Sequence, residues 1–339
     1  MKRSVMLFAV ILLVVSLPLS AQNVTKVGTT AAGFLNIDVG ARAIGMGGAY
    51  VSVSDDAMSM YWNAAGIARI QGAQAVFTHN KWLADIAYNY AGFAMNLGNV
   101  GTLGVNAQFM TMDKMERTTI MEPDGTGELF NAGSYAFGLA YGRNLTDRFS
   151  IGFNFKYLRE EIYHSNASGI AFDIGTLFDT QYNGLKIGMS ITNYGTKMQM
   201  SGRDMLIQTD IDPSISGNNH NINANLSTDQ FDLPLMFRVG LSMDVLKGIG
   251  NSNLILAVDA LHPNDDVESV NLGAEYVYGK MFALRGGYKT LFARDSEQGI
   301  CFGAGFHWNV SGMKLMIDYA YQDFGVLKEI QMFSVALGF

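Results

Sequence analysis

Three stretches of this chain bring together residues that could do chemistry. The first, GARAIGMGGAYVSVSDDAMSMYWNAAGIARI, runs from Gly40 to Ile70 and sets several glycines around Arg42, ahead of Asp55 and Asp56. A glycine-rich turn cradles a phosphate when it carries G-x-x-x-x-G-K-[ST] or G-x-G-x-x-G spacing. Here there is no lysine, and Gly45-Met-Gly47-Gly48-Ala-Tyr50 lacks the last glycine of the second pattern. The second stretch, HPNDD from His262 to Asp266, sets a histidine beside two acids, the groups an acid–histidine hydrolase uses. Five consecutive residues with Pro, Asn and Asp read more simply as a turn. The third, the 195–232 link, holds Asp204, Asp210, Asp212, Asp229 and Asp232, oxygen ligands of the kind calcium takes. It lacks the D-x-[DN]-x-[DN]-G order of a calcium loop and reads as a polar outer segment that meets a partner or acts as a lid. Asn166-Ala-Ser168 is a glycosylation acceptor by pattern alone. No catalytic residue, metal site or cofactor is expected.

The elements that must position these residues are strands. RFSIGFNFKYL alternates Phe149, Ile151, Phe153, Phe155 and Tyr157 with Gly152, Asn154 and Lys156. PLMFRVGLSMDV alternates Leu235, Phe237, Val239, Leu241 and Met243 with Arg238, Ser242 and Asp244. About fourteen such runs follow one another from residue 74 onward, each close to the length that crosses an outer membrane as a tilted strand. The tight links GNVG, NLTDR, QYNG, KGIGNS, YGK and NVSG alternate with longer ones, above all 113–132 and 195–232. An even strand count with short turns at one end and long loops at the other is the plan of a transmembrane β-barrel. That parity places both termini in the periplasm. Lipid offers the backbone no hydrogen bonds, so the sheet must close on itself.

Composition agrees. Charged residues are 16% of the chain and aromatic residues 12%, and Gly outnumbers Pro by 38 to 5, a low charge content for a soluble protein. Residues 1–21 carry Lys2 and Arg3, an apolar run and a small-residue end at Ser20 and Ala21, the plan of a cleavable signal peptide. The formal charge of −7 becomes −9 without that leader, which argues against nucleic-acid partners. Cys301 is the one cysteine and sits in a strand as a packed thiol. Lys156, Asp173, Arg238, Asp244, Asp259, Glu275, Arg285 and Asp318 take inward positions, where mutual pairing is expected ahead of a polar conduit.

The chain divides into residues 1–21 (leader), 22–72 and 73–339 (barrel). Residues 22–72 are too rich in glycine for a stable helix and suit a segment folded inside a lumen, with glycine allowing close backbone approach. A short strand over 49–54, a cap at Asp55 and Asp56 for a helical turn, and an ion pair from Arg42 to an inner-wall acid are expected. The stretch resembles the N-terminal hatch of FadL-type outer-membrane barrels, most closely the PorV/PorQ branch. The matching positions are Gly40, Arg42, Gly45, Gly47, Gly48, Tyr50, Asp55, Asp56, Trp62, Asn63 and Gly66. It departs at Ala64, where that family usually carries proline, and at Ile67, where leucine is common. The resemblance implies a fourteen-stranded barrel with a hatch in its lumen. It also implies either a component of type IX secretion, handling cargo proteins or the translocon, or a transporter of fatty acids and other hydrophobic small molecules. The largely Gly, Ser and charged inward positions favour the first. The last strand, with Phe333, Val335, Leu337 and terminal Phe339, is similar to the signal read by barrel-assembly machinery.

Overall fold

A computed structural model describes residues 27–212, 214, 221–247, 250–293, 296–310 and 312–339. The leader and residues 22–26 lie outside them. The barrel strands are β1 (Ala73–Lys81), β2 (Ala87–Asn96), β3 (Thr102–Thr111), β4 (Ala132–Asn144), β5 (Phe149–Ile162), β6 (Ser165–Asp179) and β7 (Leu185–Gly195). They continue as β8 (Met236–Asp244), β9 (Ser252–Pro263), β10 (Ser269–Tyr278), β11 (Phe282–Leu291), β12 (Ile300–Val310), β13 (Met313–Asp323) and β14 (Glu329–Gly338). Each pairs antiparallel with its sequence neighbours, and β1 pairs with β14 from Gln74–Gly338 to Lys81–Gln331. The sheet is therefore a closed fourteen-stranded barrel, and closure leaves no strand edge for lipid to strand unpaired.

Side-chain alternation sets the two faces. Phe77, Phe93, Leu103, Val105, Leu139, Phe155, Leu284 and Phe302 are exposed on the outer face. The intervening Thr78, Asn106, Asn154 and Arg285 are buried within. Such a pattern is stable only where the outer solvent is hydrocarbon. Tyr278, Phe282 and Trp308 are exposed near one end, where aromatic side chains form an interfacial girdle. Cys301 is fully buried.

The ends differ. The turns after β2, β4, β6, β8, β10 and β12 are short, and Phe339 lies at that end, bonded through its backbone to Ala73. The other end carries the long 112–131 and 196–235 excursions, each with a small hairpin: Met115–Glu116 with Leu129–Phe130, and Leu206–Thr209 with Ile222–Asn225. Length is not uniform there, since β5 and β6 are joined by Tyr163 and His164 alone.

Residues 31–70 run inside the barrel and touch its wall on many sides. The short helix Ala41–Gly45 packs on β11 to β14, and the 3-10 turn Ala64–Arg69 on β3 to β6. Phe34, Val39, Tyr50, Met60, Trp62 and Ile67 form the largest apolar core with inward residues such as Tyr88, Tyr90 and Leu158. The expected strand over 49–54 is instead a series of turns, because the amides of Tyr50 and Val51 both bond the Asp259 carboxylate of the wall. The expected shared location of the termini is corrected as well. Thr30 bridges Asp232 and its hydroxyl donates to Asp265, so the described N-terminal residues lie at the long-connection end, opposite Phe339. Strand parity fixes where β1 starts, but the preceding segment threads the whole interior before reaching it.

Candidate functional site

The seam between residues 31–70 and the inner wall holds most of the residues singled out from sequence. Its first feature is bare backbone meeting bare backbone. Gly47 has φ +64°, and a Cβ there would sit 2.7 Å from the Leu272 carbonyl and the Tyr288 amide. A Cβ on Gly287 would in turn collide with the main chain of Met46 and Gly47. Gly273 meets Met46 in the same way, Gly188 meets Val51 and Ser52, and Gly152 meets Ala64. Within the inner segment, Gly45 backs onto Gly303, Gly48 onto the Asn271 side chain, Gly66 onto Ser59 and Gly40 onto Met58. Side chains at Gly45, Gly47, Gly152, Gly188, Gly273 or Gly287 would hold the segment off the wall, and at Gly40 or Gly66 would push it apart from itself, overpacking that is destabilising.

The second feature is a chain of paired charges. Arg42 grips Glu275 with two parallel bonds, Nε to Oε2 and Nη2 to Oε1, each 2.9 Å. Its Nη1 reaches Asp55 at 2.7 Å and Tyr50 at 3.1 Å. Tyr50 donates to Asp56 at 2.6 Å, and Asp56 accepts the Met58 amide at 3.0 Å, but the expected cap at Asp55 and Asp56 is not formed: Met58 itself precedes the turn Ser59–Trp62, which no side chain caps. Along the same wall, Arg285, opposite Glu275 in the β10–β11 register, binds Glu275 at 2.7 Å and Asp318 of β13 at 2.7 Å. These guanidinium–carboxylate forks fix geometry as well as charge. Each buried ion has counter-ions in contact, as burial requires.

A second polar group lies on β5 to β8. Lys156 contacts Asp173 at 2.8 Å and also Asn193. Asn154 joins Asp173 to the Met60 carbonyl. Asn193, at φ +66°, interrupts the β6–β7 register and donates its amide to Asp173. Arg238 donates to Thr192 and lies over the Trp62 ring, 5.5 Å from its centroid. Trp62 donates to the Val39 carbonyl, and Asn63 bonds Val51 and Thr176. Asp244 stands apart: it sits where β8 ends and accepts from Leu246 and Asn253, holding the turn rather than joining the interior group.

Several contacts had no clear signal in the sequence. Asp38 pairs with Lys289, and Arg69 with Asp179. Asp265 of the HPNDD turn is buried and clamps Thr30 and Asn36. His262 of that turn faces Glu268 instead, so the turn makes no acid–histidine constellation. The signal that was available is the run of glycines at inward positions of successive strands, facing a segment itself rich in glycine. No group of three or more potential metal-ligating side chains is found among the described residues.

The outer excursions have a different surface. Ile120 and Met121 at the tip of the first are 98% and 88% exposed, and Leu206, Ile207, Ile211, Leu226 and Phe231 are exposed on the second. The second is tied down by the Met198–Phe231 bridge and by Asp204, which accepts from the His164 amide at 2.9 Å. Desolvation pushes the Asp204 carboxyl up, and the combined bonds and charge from His164 and Ser165 outweigh it and hold it below the ordinary carboxylate range.

Comparison with known proteins follows this geometry. The family described as Type IX secretion system protein PorV matches residues 20–212, more than half of the chain. No curated protein matches. Among solved structures, a Pseudomonas aeruginosa FadL homologue is similar with a TM-score of 0.54 at 11% identity, over 88% of this chain and 97% of that one. The CymD monoaromatic hydrocarbon channel is similar with a TM-score of 0.55 at 11% identity, over 88% and 96%. The Ralstonia pickettii toluene transporter TbuX is similar with a TM-score of 0.51 at 11% identity, over 88% and 97%. At such identities these likenesses show the fold.

Proposed function

The chain belongs to the PorV family of type IX secretion proteins, and from that premise we propose that it is a protein-docking component of that system in the bacterial outer membrane. Residues 73–339 anchor it in lipid. Residues 22–72 act as a hatch that closes the lumen. The short turns and Phe339 face the periplasm, and the 112–131 and 196–235 excursions face outward to meet cargo proteins or the translocon. Residues 1–21 export the chain, and the β14 pattern of Phe333, Val335, Leu337 and Phe339 hands it to the barrel-assembly machinery.

The observation that carries this reading is the contrast between an interior packed along its glycine and ion-pair seam and a bare outer face. The seam is closed by glycine contacts and by ion pairs that need each other, which disfavours a conduit. Beyond the lipid-facing strands, exposed apolar residues stand on the excursions, where surface apolar groups of this size mark interaction sites. A second reading, transport of a hydrophobic small molecule, is favoured by the fold shared with hydrocarbon channels. Against it stand inward side chains that are largely Gly, Ser, Asn and paired ions.

The test is to extract the tagged protein from native outer membranes in mild detergent and identify what accompanies it by mass spectrometry. A variant lacking 206–225 serves as the partner experiment, because the Leu226 amide already bonds the Met205 carbonyl and the ends can be rejoined. Secretion subunits or cargo captured by the parent and lost in the variant support docking. A lone barrel carrying fatty acid or another apolar compound supports transport instead.

A further inference from the structure

A cavity of about 500 Å³ opens between the inner segment and the wall at the short-turn end. Ser52, Ser54, Asp55 and Arg69 line it from the inner segment, and Asp179 and Lys186 from the strands. Its size suits a small ligand, but its lining is polar, which disfavours a hydrocarbon. Most of these groups already have partners: Arg69 holds Asp179, and Ser54 donates to the Tyr50 carbonyl. Two do not. The Ser52 hydroxyl is buried with no hydrogen-bond partner, and Lys186 makes no ion pair or side-chain hydrogen bond among the described residues, although it stands opposite Asp179 in the β6–β7 register, because Arg69 holds that carboxylate. A buried hydroxyl without a partner is costly. The two donors are neighbours. The main chain of Ser52 packs on Gly188 of β7, and Lys186 is the next inward position of that strand, about 7 Å along it. Asp55, from the same inner segment as Ser52, is paired with Arg42 yet keeps its side chain 44% exposed.

A cation from the wall, with an unpartnered hydroxyl and an accessible carboxylate from the inner segment, matches a ligand with a carboxylate at one end and an ammonium at the other. We infer that this cavity binds a short zwitterionic peptide, its carboxylate on Lys186 and Ser52 and its ammonium toward Asp55. With the short turns in the periplasm, as proposed above, such a peptide is either free in that compartment or part of the cell wall. The site itself requires only the cavity.

The experiment is calorimetric titration of the full-length protein in detergent with trialanine, trialanine amide, N-acetyltrialanine and inorganic phosphate. The parent and the variants Lys186→Met and Ser52→Ala are compared, each checked for a folded barrel by its heat-modifiable gel mobility. Trialanine is expected to bind the parent. Loss of a charge-assisted bond should weaken binding about tenfold or more in Lys186→Met, and likewise when the peptide is amidated or acetylated. Ser52→Ala should weaken it less. Absence of trialanine binding at millimolar concentration, equal binding by the acetylated peptide or by phosphate, or binding unchanged in Lys186→Met overturns the assignment. Co-sedimentation with cell-wall sacculi then separates the sources: binding to both wall and trialanine identifies the wall peptide, and binding to trialanine alone a soluble one. Failure here leaves docking by the outer excursions untouched, because that reading is tested by deletion at the opposite end.

Discussion

The seam inside the barrel and the excursions outside it are built on opposite principles. In the seam, Gly47 against Gly287 and Arg42 against Glu275 leave no slack, and a change on one side is felt at once on the other. On the excursions, Ile120 and Met121 touch little of their own chain. On the docking reading proposed above, stability and recognition are separated in space. The interior determines whether the molecule is one rigid body, and the outer face is free to vary without unfolding it.

The sharpest way to break that contrast is to put a side chain into the seam. Gly287→Val should force the Met46–Gly47 backbone off the wall and cost about 3 kcal/mol or more. The readout is loss of the heat-modifiable gel form or a large drop in thermal midpoint in detergent. Glu275→Gln is nearly as severe, since it leaves Arg42 and Arg285 facing one another without their shared anion. A broken buried pair of this kind costs about 3–5 kcal/mol, measured by the shift in the denaturation midpoint. A smaller effect is expected from Asp265→Asn at the long-connection end, where the bonds from Thr30 and Asn36 weaken by about 1–2 kcal/mol. Limited proteolysis near residue 30 should then quicken while the strands stay intact.

The outer face should respond in the reverse manner. Ile120→Ser with Met121→Ser is expected to move stability by less than about 0.5 kcal/mol, read by the same unfolding midpoint, yet to reduce co-purification of a partner. A large loss of stability in this pair would show the first excursion to be structural, and the contrast would fail. The smallest effect is on pH. The Asp204 carboxyl is lowered, so its clasp on His164 is fully present above the ordinary carboxylate range and is lost as pH falls through the lowered value. Hydrogen exchange at the His164 amide should rise only at acid pH, with the barrel strands unchanged.

Much of the barrel was legible because a strand in lipid has few options. Period-2 alternation in β5 or β14 fixes which side chains face hydrocarbon, and turn residues such as those at 181–184 mark where each hairpin reverses. The two-residue Tyr163–His164 link was less legible, since β5 and β6 run on past the length a membrane needs. Lys156, Arg238, Glu275 and Arg285 could be placed inward from parity alone, but not paired. Asp244 shows the limit of parity: it has the inward phase, yet it lies at the strand end, where turn amides claim its oxygens.

What the sequence determined by itself is the set of local rules: strand count, faces, the short-turn end, and a glycine-rich segment that no helix or strand would hold. What only tertiary structure decided is how that segment is used. Its path from the long-connection end to β1, the Arg42–Glu275 fork, and the opposite placement of Thr30 and Phe339 all depend on contacts between residues far apart in sequence. The physical reason is that local backbone preference acts over a few residues. Pairing between the inner segment and the wall depends on which inward positions the closed sheet presents to that segment, and closure is a property of the whole sheet.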